Sequence, residues 1–445
     1  MHDTGHNGNW TKSRTQVNHM AETIGTKNIG LRGITVADTK ISKVEGDKGN
    51  LYYRGYNILD LAKNSTFEET AYLLIHGRLP QAEELRHFSS QMILNRDLPD
   101  MMVHNMQERP STANTMDVLQ SAVSLLADYD ADARDETKDG NYDRAMNLIA
   151  KLPTIVAYWE RIRHQLPIVR PRTDLTHSGN FLYMLHGEAP HADTARDLDI
   201  ALVLHADHTF NASTFAAREV ASTRAHMYAA VSAACGALSG ELHGGANTRV
   251  MEMLLMIGDM DNVEDYVRNA LEGGDKVFGM GHAVYKTYDP RMYVLQPMSQ
   301  RLGQRLKNTL WYDMSVAIME STQKHFKRLK GADIYPNVDF FSASAYYYMG
   351  IPPHLFTPIF ALSRVAGWCA HVVEEKFAEA QPKPQLYRPH AEYIGNYCGD
   401  EGCVYEPMSQ RGGAQPAAKN KTAAKKKKVA KKPAAIKKKT MGNKK

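Results

Sequence analysis

After about residue 60, almost no segment of this chain alternates apolar and polar residues with the period of two that a half-buried strand needs. Helical signals take over instead. Thr66-Phe67-Glu68-Glu69 opens a segment in the manner of a capping box, with Ala71, Leu73, Leu74 and Ile75 behind it. Pro80, Pro99, Pro110, Pro153 and Pro167 punctuate successive helical segments. The run from Ser213 to Leu238 is rich in Ala, Ser and Gly, which lets helices pack closely. It reads either as one helix, deeply buried or at a subunit interface, or as a tight intramolecular helix pair. The exception is N-terminal. Thr35, Val36, Thr39, Ile41 and Val44 suit strands, Gly46-Asp47-Lys48-Gly49-Asn50 is a turn cluster, and Leu51-Tyr52-Tyr53 forms the return strand before Tyr56-Asn57-Ile58-Leu59-Asp60 turns into a helix. The expected fold class is therefore mainly α with a short N-terminal β-hairpin.

The length of 445 residues suits two domains, or one large domain with a lobe, and 43% hydrophobic residues allow a sizeable core. Unbroken apolar stretches fall well short of the roughly 18 residues of a membrane span. Residues 1–27 are polar and lack an apolar secretory core, and four cysteines do not make a disulfide framework. The expectation is a cytoplasmic protein that does not enter a membrane. The net charge of +5 comes from the end of the chain. Residues 419–445 hold 13 lysines and no acid, which leaves 41 of the 54 basic residues against 49 acidic ones in the body. The Lys-rich tail, residues 413–445, cannot bury enough apolar surface to fold. It reads as a solvated tail with, at most, weak contact to nucleic acid.

Three segments carry candidate chemistry. Glu241-Leu242-His243-Gly244-Gly245-Ala246-Asn247 and Gly279-Met280-Gly281-His282-Ala283-Val284-Tyr285-Lys286 each place a histidine among glycines, where backbone can approach a ligand closely. Pro336-Asn337-Val338-Asp339-Phe340-Phe341 places one acid in an apolar setting. Two imidazoles and a partly desolvated carboxylate suit the making and holding of an enolate at neutral pH. His243 alone also reads as part of a tight turn. Asp339 also reads as a helix N-cap, since Ser342 and Ala343 follow. Lys286 and Arg291 add cationic groups close behind His282, suited to an anion or to surface ion pairs. His205-Ala206-Asp207-His208 with Asn211 would put both histidines on one face if helical, and has three readings: a metal pair, core histidines bonded to carbonyls, or ligand contact through His208 and Asn211. No third metal ligand is evident, so no metal is assigned. Arg364 and Arg388 are two further cationic candidates. Cys398 and Cys403 have only His390 nearby, too few ligands for zinc.

In order and spacing, these segments resemble the citrate synthase family. The match runs from Gly30-Leu31-Arg32-Gly33 and Tyr53-Arg54-Gly55-Tyr56 through His205-Ala206-Asp207-His208, Asn211-Ala212-Ser213-Thr214-Phe215, Leu242-His243-Gly244-Gly245-Ala246-Asn247 and Gly281-His282-Ala283-Val284-Tyr285. It continues with Asp289-Pro290-Arg291, Pro336-Asn337-Val338-Asp339-Phe340, Ser363-Arg364 and Arg388-Pro389. Phe341 stands where the family commonly has Tyr.

The resemblance implies a mostly helical homodimer, or a higher even oligomer, whose small domain closes over the substrates. On this reading residues 1–27 are an N-terminal polar segment, 28–246 and 350–412 form the large helical domain, and 247–349 the small one. The reaction implied is condensation of acetyl-CoA with oxaloacetate and hydrolysis of the citryl thioester, with no cofactor. Asp339 would take a proton from the acetyl methyl, His243 would donate to the enol oxygen, and His282 would polarise the oxaloacetate carbonyl. His208, Arg291 and Arg364 would bind oxaloacetate carboxylates, Arg388 would come from a partner subunit, and Lys286 would meet a CoA phosphate. Use of propionyl-CoA, as in 2-methylcitrate synthase, is the alternative. His205-Ala206-Asp207-His208, Leu242-His243 and Lys286 look more like the citrate enzyme.

Overall fold

The computed structural model describes residues 29–31, 33–395 and 403–411. Arg32, Cys398, the N-terminal polar segment and the Lys-rich tail lie outside the described residues. By its internal contacts the chain divides into Met1–Tyr387 and Arg388–Lys445.

The hairpin forms, but shorter than expected and with a third strand. β1 (Ser42–Glu45) pairs antiparallel with β2 (Asn50–Tyr53), Ser42 opposite Tyr53 and Glu45 opposite Asn50, and β2 pairs with β3 (Tyr56–Asn57). Thr35, Val36, Thr39 and Ile41 precede the strand in irregular backbone. Strand propensity at Thr35 and Val36 is not enough, because both are exposed and, among the described residues, no strand lies beside them.

Helices follow: α1 (Ile58–Asn64), α2 (Phe67–His76), α3 (Ala82–Leu94), α4 (Asp100–Gln107), α5 (Thr115–Leu125) and α6 (Lys138–Arg163). Thr66 caps α2, its Oγ1 accepting from Glu69 N at 3.2 Å. Pro80, Pro99, Pro110 and Pro167 fall between or at the ends of helices, but Pro153 sits inside α6. The helix continues through it because its flanks are buried against α3, α5, α7 (His177–His186) and α16 (Phe356–Lys376), and that packing outweighs one missing backbone bond. The small-residue run forms a helix pair, α9 (Ala212–Ser222) and α10 (Met227–Ser239), packed on each other and broken at Thr223–His226. α8 (Ala192–His205) precedes them.

α11 (Ala246–Ile257), α12 (Val263–Gly273), α13 (Met292–Arg305), α14 (Leu310–Lys330) and α15 (Val338–Tyr348) pack chiefly on one another. They meet the rest through α11 on α16 and α13 on α8. α16 is the centre of the larger body, touching α2, α5, α6, α8, α9 and α10. It is long and apolar enough to cross a membrane by length and composition, yet 89% of that stretch is buried in protein. A helix apolar all round is expected at the middle of a large core.

Candidate active site

The segment carrying His282 and the start of α15 are tied together by backbone. Met280 and Pro336 form an antiparallel bridge, Gly281 N donates to Tyr335 O at 2.7 Å, and Asn337 N donates to Gly279 O at 2.9 Å. Gly279 has φ +77°, and a Cβ there would lie 2.7 Å from the Phe340 ring, so only glycine lets the two strands of backbone meet. Asn337, not Asp339, caps α15: its Oδ1 accepts from Asp339 N at 3.0 Å. The capping reading of Asp339 is thereby corrected, and its carboxylate stays available at the first turn. Burial pushes Asp339 up to about 6, against the pull of Arg291 and Arg364.

His282 Nδ1 accepts two backbone N–H groups, from Val284 at 2.8 Å and Tyr285 at 3.0 Å. A backbone N–H cannot accept, so Nδ1 carries the lone pair and Nε2 carries the proton. Burial and Arg291 lower His282 to about 4, which keeps it neutral. The same logic holds for His243. Its Nε2 accepts from Ser213 N at 3.2 Å and lies 2.8 Å from Ser213 Oγ, so its Nδ1–H is the free donor. Ser213 Oγ is fixed in turn by Trp368 Nε1 at 3.1 Å and Asn211 Oδ1 at 2.8 Å. Burial, with Arg364, lowers His243 to about 4. Gly244 places the loop. A Cβ on it would sit 2.3 Å from Leu238 O, and Thr357 at the start of α16 donates to its carbonyl at 2.9 Å.

The third histidine, His208, lies with its Nε2 3.2 Å from Tyr285 Oη and its ring edge-on to His282 at 5.6 Å. Burial, Arg291 and Arg364 hold it well below the usual imidazole value. His205 and His208 do not share a helix face as their spacing allowed. α8 ends at His205, whose Nδ1 meets Ala201 O at 2.8 Å, and His208 stands in the following loop. The loop turns so early because α16 crosses it closely, with Gly367 N bonded to Ala206 O at 3.1 Å. Asn211 caps α9 through Thr214 N at 3.0 Å and so begins a new helix rather than continuing from His208.

Arg291 and Arg364 supply the positive field shared by these groups. Arg291 is 2% exposed and held by both oxygens of Asp289, at 2.9 and 2.7 Å. Burial works against its charge, but Asp289 keeps it above the usual arginine value. Arg364 is 1% exposed, lies over the Phe360 ring at 4.6 Å, and donates from Nε to His205 O at 2.7 Å. Among the described residues no carboxylate forms an ion pair with Arg364, and burial lowers it to about 10. A buried cation without a paired carboxylate is suited to a substrate anion.

The family model "Citrate synthase, C-terminal domain" matches residues 30–390. The citrate synthase of Haloferax volcanii is 45% identical over 387 residues, 86% of this chain and 98% of that one. The chain belongs to the citrate synthase family. Relatives called 2-methylcitrate synthase match as well, that of Shewanella oneidensis at 39% identity over 82% of this chain and 94% of its own. The crystal structure of the Pyrobaculum aerophilum citrate synthase superposes with a TM-score of 0.79 at 40% identity, covering 86% of this chain and 95% of that one. The Thermoplasma acidophilum citrate synthase, in its ternary complex with carboxymethyl coenzyme A and oxaloacetate, gives a TM-score of 0.79 at 30% identity, covering 87% and 100%.

Of the residues expected at a citrate synthase site, Asp339, His282, His208, Arg291 and Arg364 share one electrostatic neighbourhood, and His243 joins it through Arg364. Lys286 stands apart. It is exposed and paired with Asp47 of the hairpin turn at 2.8 Å, the surface ion pair that was its other reading. Arg388 is exposed and opens the second unit. Cys403 takes part in a disulfide, while Cys235 and Cys369 are buried thiols. Sequence reasoning assigned no role to Ser213, Tyr285 or Asp289. Asp289 had a local signal, two residues before Arg291; Ser213 acts across 30 residues and had none.

Proposed function

We propose that the protein condenses acetyl-CoA with oxaloacetate and hydrolyses the citryl thioester to citrate and CoA. One observation carries this reading: His243 and His282 each accept a backbone N–H at one nitrogen, so two neutral imidazoles offer fixed N–H donors in the field of the same buried arginines that act on a carboxylate raised to about 6. A thioester methyl is a very weak carbon acid, and deprotonation requires donors already aimed at the oxygen where charge develops. Asp339 takes the methyl proton while His243 Nδ1–H donates to the enol oxygen. The enol carbon attacks the ketone of oxaloacetate, which His282 Nε2–H polarises, and a new carbon–carbon bond forms as His282 passes that proton to the ketone oxygen and solvent restores it. Water then cleaves the thioester of citryl-CoA. The route uses N–H groups where other enzymes use a Lewis acid, so it calls for no metal or redox cofactor.

His208, Arg291 and Arg364 bind the oxaloacetate carboxylates in this proposal, with Asn211 holding the loop beside His208, and Lys286 releases Asp47 to meet a CoA phosphate. The lobe of residues 247–349 closes to exclude water until the bond has formed. Arg388 of the partner subunit completes the site in a homodimer, and the bacterial and archaeal relatives fit a cytoplasmic enzyme. The test is release of CoA thiol from purified protein with oxaloacetate, comparing kcat/KM for acetyl-CoA and propionyl-CoA. A preference for acetyl-CoA is expected. A preference for propionyl-CoA would assign the same residues to 2-methylcitrate formation, and no release from either would refute the reading.

A further inference from the structure

At the C-terminal end of α6, a buried carboxylate meets two other imidazoles. Glu160 and His164 lie four residues apart on the last turn of the helix, so their side chains share a face. His354 comes from the 3-10 turn Pro353–Leu355 that leads into α16. His164 Nε2 is 3.0 Å from Glu160 Oε1, and His354 Nε2 is 3.0 Å from Oε1 and 2.9 Å from Oε2. One ligand atom from each of the three lies within 4.8 Å of the others.

We infer that Glu160, His164 and His354 form a binding site for a divalent cation of the zinc type. At zinc's bond lengths, two ligand atoms at the tetrahedral angle stand roughly 3.3 Å apart, close to the nitrogen–oxygen separations present here. The Glu160 side chain is 10% exposed, whereas those of His164 and His354 are 54% and 42% exposed. The carboxylate is therefore a fixed anchor, and the imidazoles have room to turn onto an ion. Imidazole with carboxylate selects zinc, cobalt or nickel rather than the hard cations magnesium and calcium. The location adds to the attraction, since the C-terminal end of a helix carries partial negative charge. Among the described residues, Arg163 is the one arginine or lysine that reaches this carboxylate, at 4.0 Å from Oε2, and an incoming ion displaces it outward. The donor set leaves the fourth position to water.

The turn that carries His354 also holds the catalytic lobe. Thr248 on α11 donates to Pro353 O at 3.0 Å, and Thr357 donates to Gly244 O beside His243 at 2.9 Å. An ion bound here cross-links α6 to the junction where α11, the His243 loop and α16 meet. It takes no part in the condensation.

The experiment is calorimetric titration of zinc chloride into untagged, EDTA-treated full-length protein, beside a His164→Ala/His354→Ala variant. His2, His6 and His19 remain in both proteins, so zinc bound there cancels. One ion per chain, bound at least tenfold more tightly by the parent protein, is expected, with Glu160→Gln weakening it similarly. Cobalt substitution should give the intense visible bands of a four-coordinate site in the parent and not in the variant. Matching far-UV circular dichroism in EDTA shows that the variants are folded. Equal affinity in parent and double variant, or no binding by the parent, would overturn the assignment.

Discussion

Two fully buried arginines lie against α16 and serve opposite ends. Arg218, on α9, meets Glu374 at 2.7 Å and Glu375 at 2.6 Å, with His371 Nδ1 at 3.1 Å and the Phe210 ring beneath it at 4.5 Å. Against the cost of burial, the two glutamates raise it above the usual arginine value. Among the described residues, Arg364, on α16 itself, has a carbonyl and a ring but no carboxylate in an ion pair, and burial lowers it to about 10. The same side chain at the same depth is a structural rivet in one place and an unspent charge in the other. The difference lies in whether the protein supplies the counter-ion. Charge that folding has not neutralised is left for a ligand, and Arg364 faces the histidines and Asp339, whereas Arg218 faces its own acids.

The comparison breaks most directly at the group that the Arg364 field helps to hold ionised. Asp339→Asn should lower kcat by roughly 10²–10⁴-fold with far-UV circular dichroism unchanged; near-normal turnover would remove Asp339 as the base. Next come the two arginines. Arg218→Met strands two buried glutamates and should cost about 3–5 kcal/mol in denaturant unfolding. Arg364→Met should leave stability equal or higher while kcat/KM for oxaloacetate falls by about 10²-fold, as expected for a charge-assisted bidentate contact. If both variants lost stability alike, the distinction between rivet and ligand group would be wrong.

The pH profile is a milder test. Asp339 must be ionised to act, so kcat/KM should fall with a one-proton acid limb near pH 6, while His243 and His282, lowered to about 4, stay neutral across it. For stability the sign is opposite. The folded chain holds the Asp339 proton more tightly than the unfolded chain, so its contribution is full below the ordinary value of 3.8 and lost as pH rises through about 6. Asp339→Asn should therefore raise Tm at pH 8 and not at pH 3.5, which thermal unfolding at the two pH values would show. The smallest expected effect is Ser213→Ala. The backbone N–H of residue 213 still reaches His243, so loss of the hydroxyl, with its contacts to His243, Asn211 and Trp368, should reduce kcat about 3- to 10-fold. A larger drop would mean that the hydroxyl, not the backbone, fixes the tautomer.

Much of this was legible in the chain. The absence of period-two alternation fixed a helical fold, because burial of a stripe depends only on local spacing. Gly-rich loops flagged His243 and His282, and the Asp289-Pro290-Arg291 segment held a buried ion pair within three residues. What failed were readings that extended local rules too far. Pro153 should have ended a helix, Thr35 and Val36 should have been strand, and the spacing of His205 and His208 allowed a shared face had the helix run on. Each was overruled by a neighbour distant in sequence: the packing around α6, the lack of a partner strand, and the close crossing of α16 at Gly367.

The sequence by itself determined which residues are candidates for chemistry and in what order they come, since those are properties of side-chain type and spacing. Only the tertiary structure decided their protonation and charge. Ser213 reaches His243 across the fold, Val284 and Tyr285 turn back onto His282, and among the described residues Arg364 is left without a paired carboxylate while Arg218 has two. A tautomer is set by the hydrogen bond at the other nitrogen, and a charge by what is buried beside it, and both are contacts that exist only once the chain has folded.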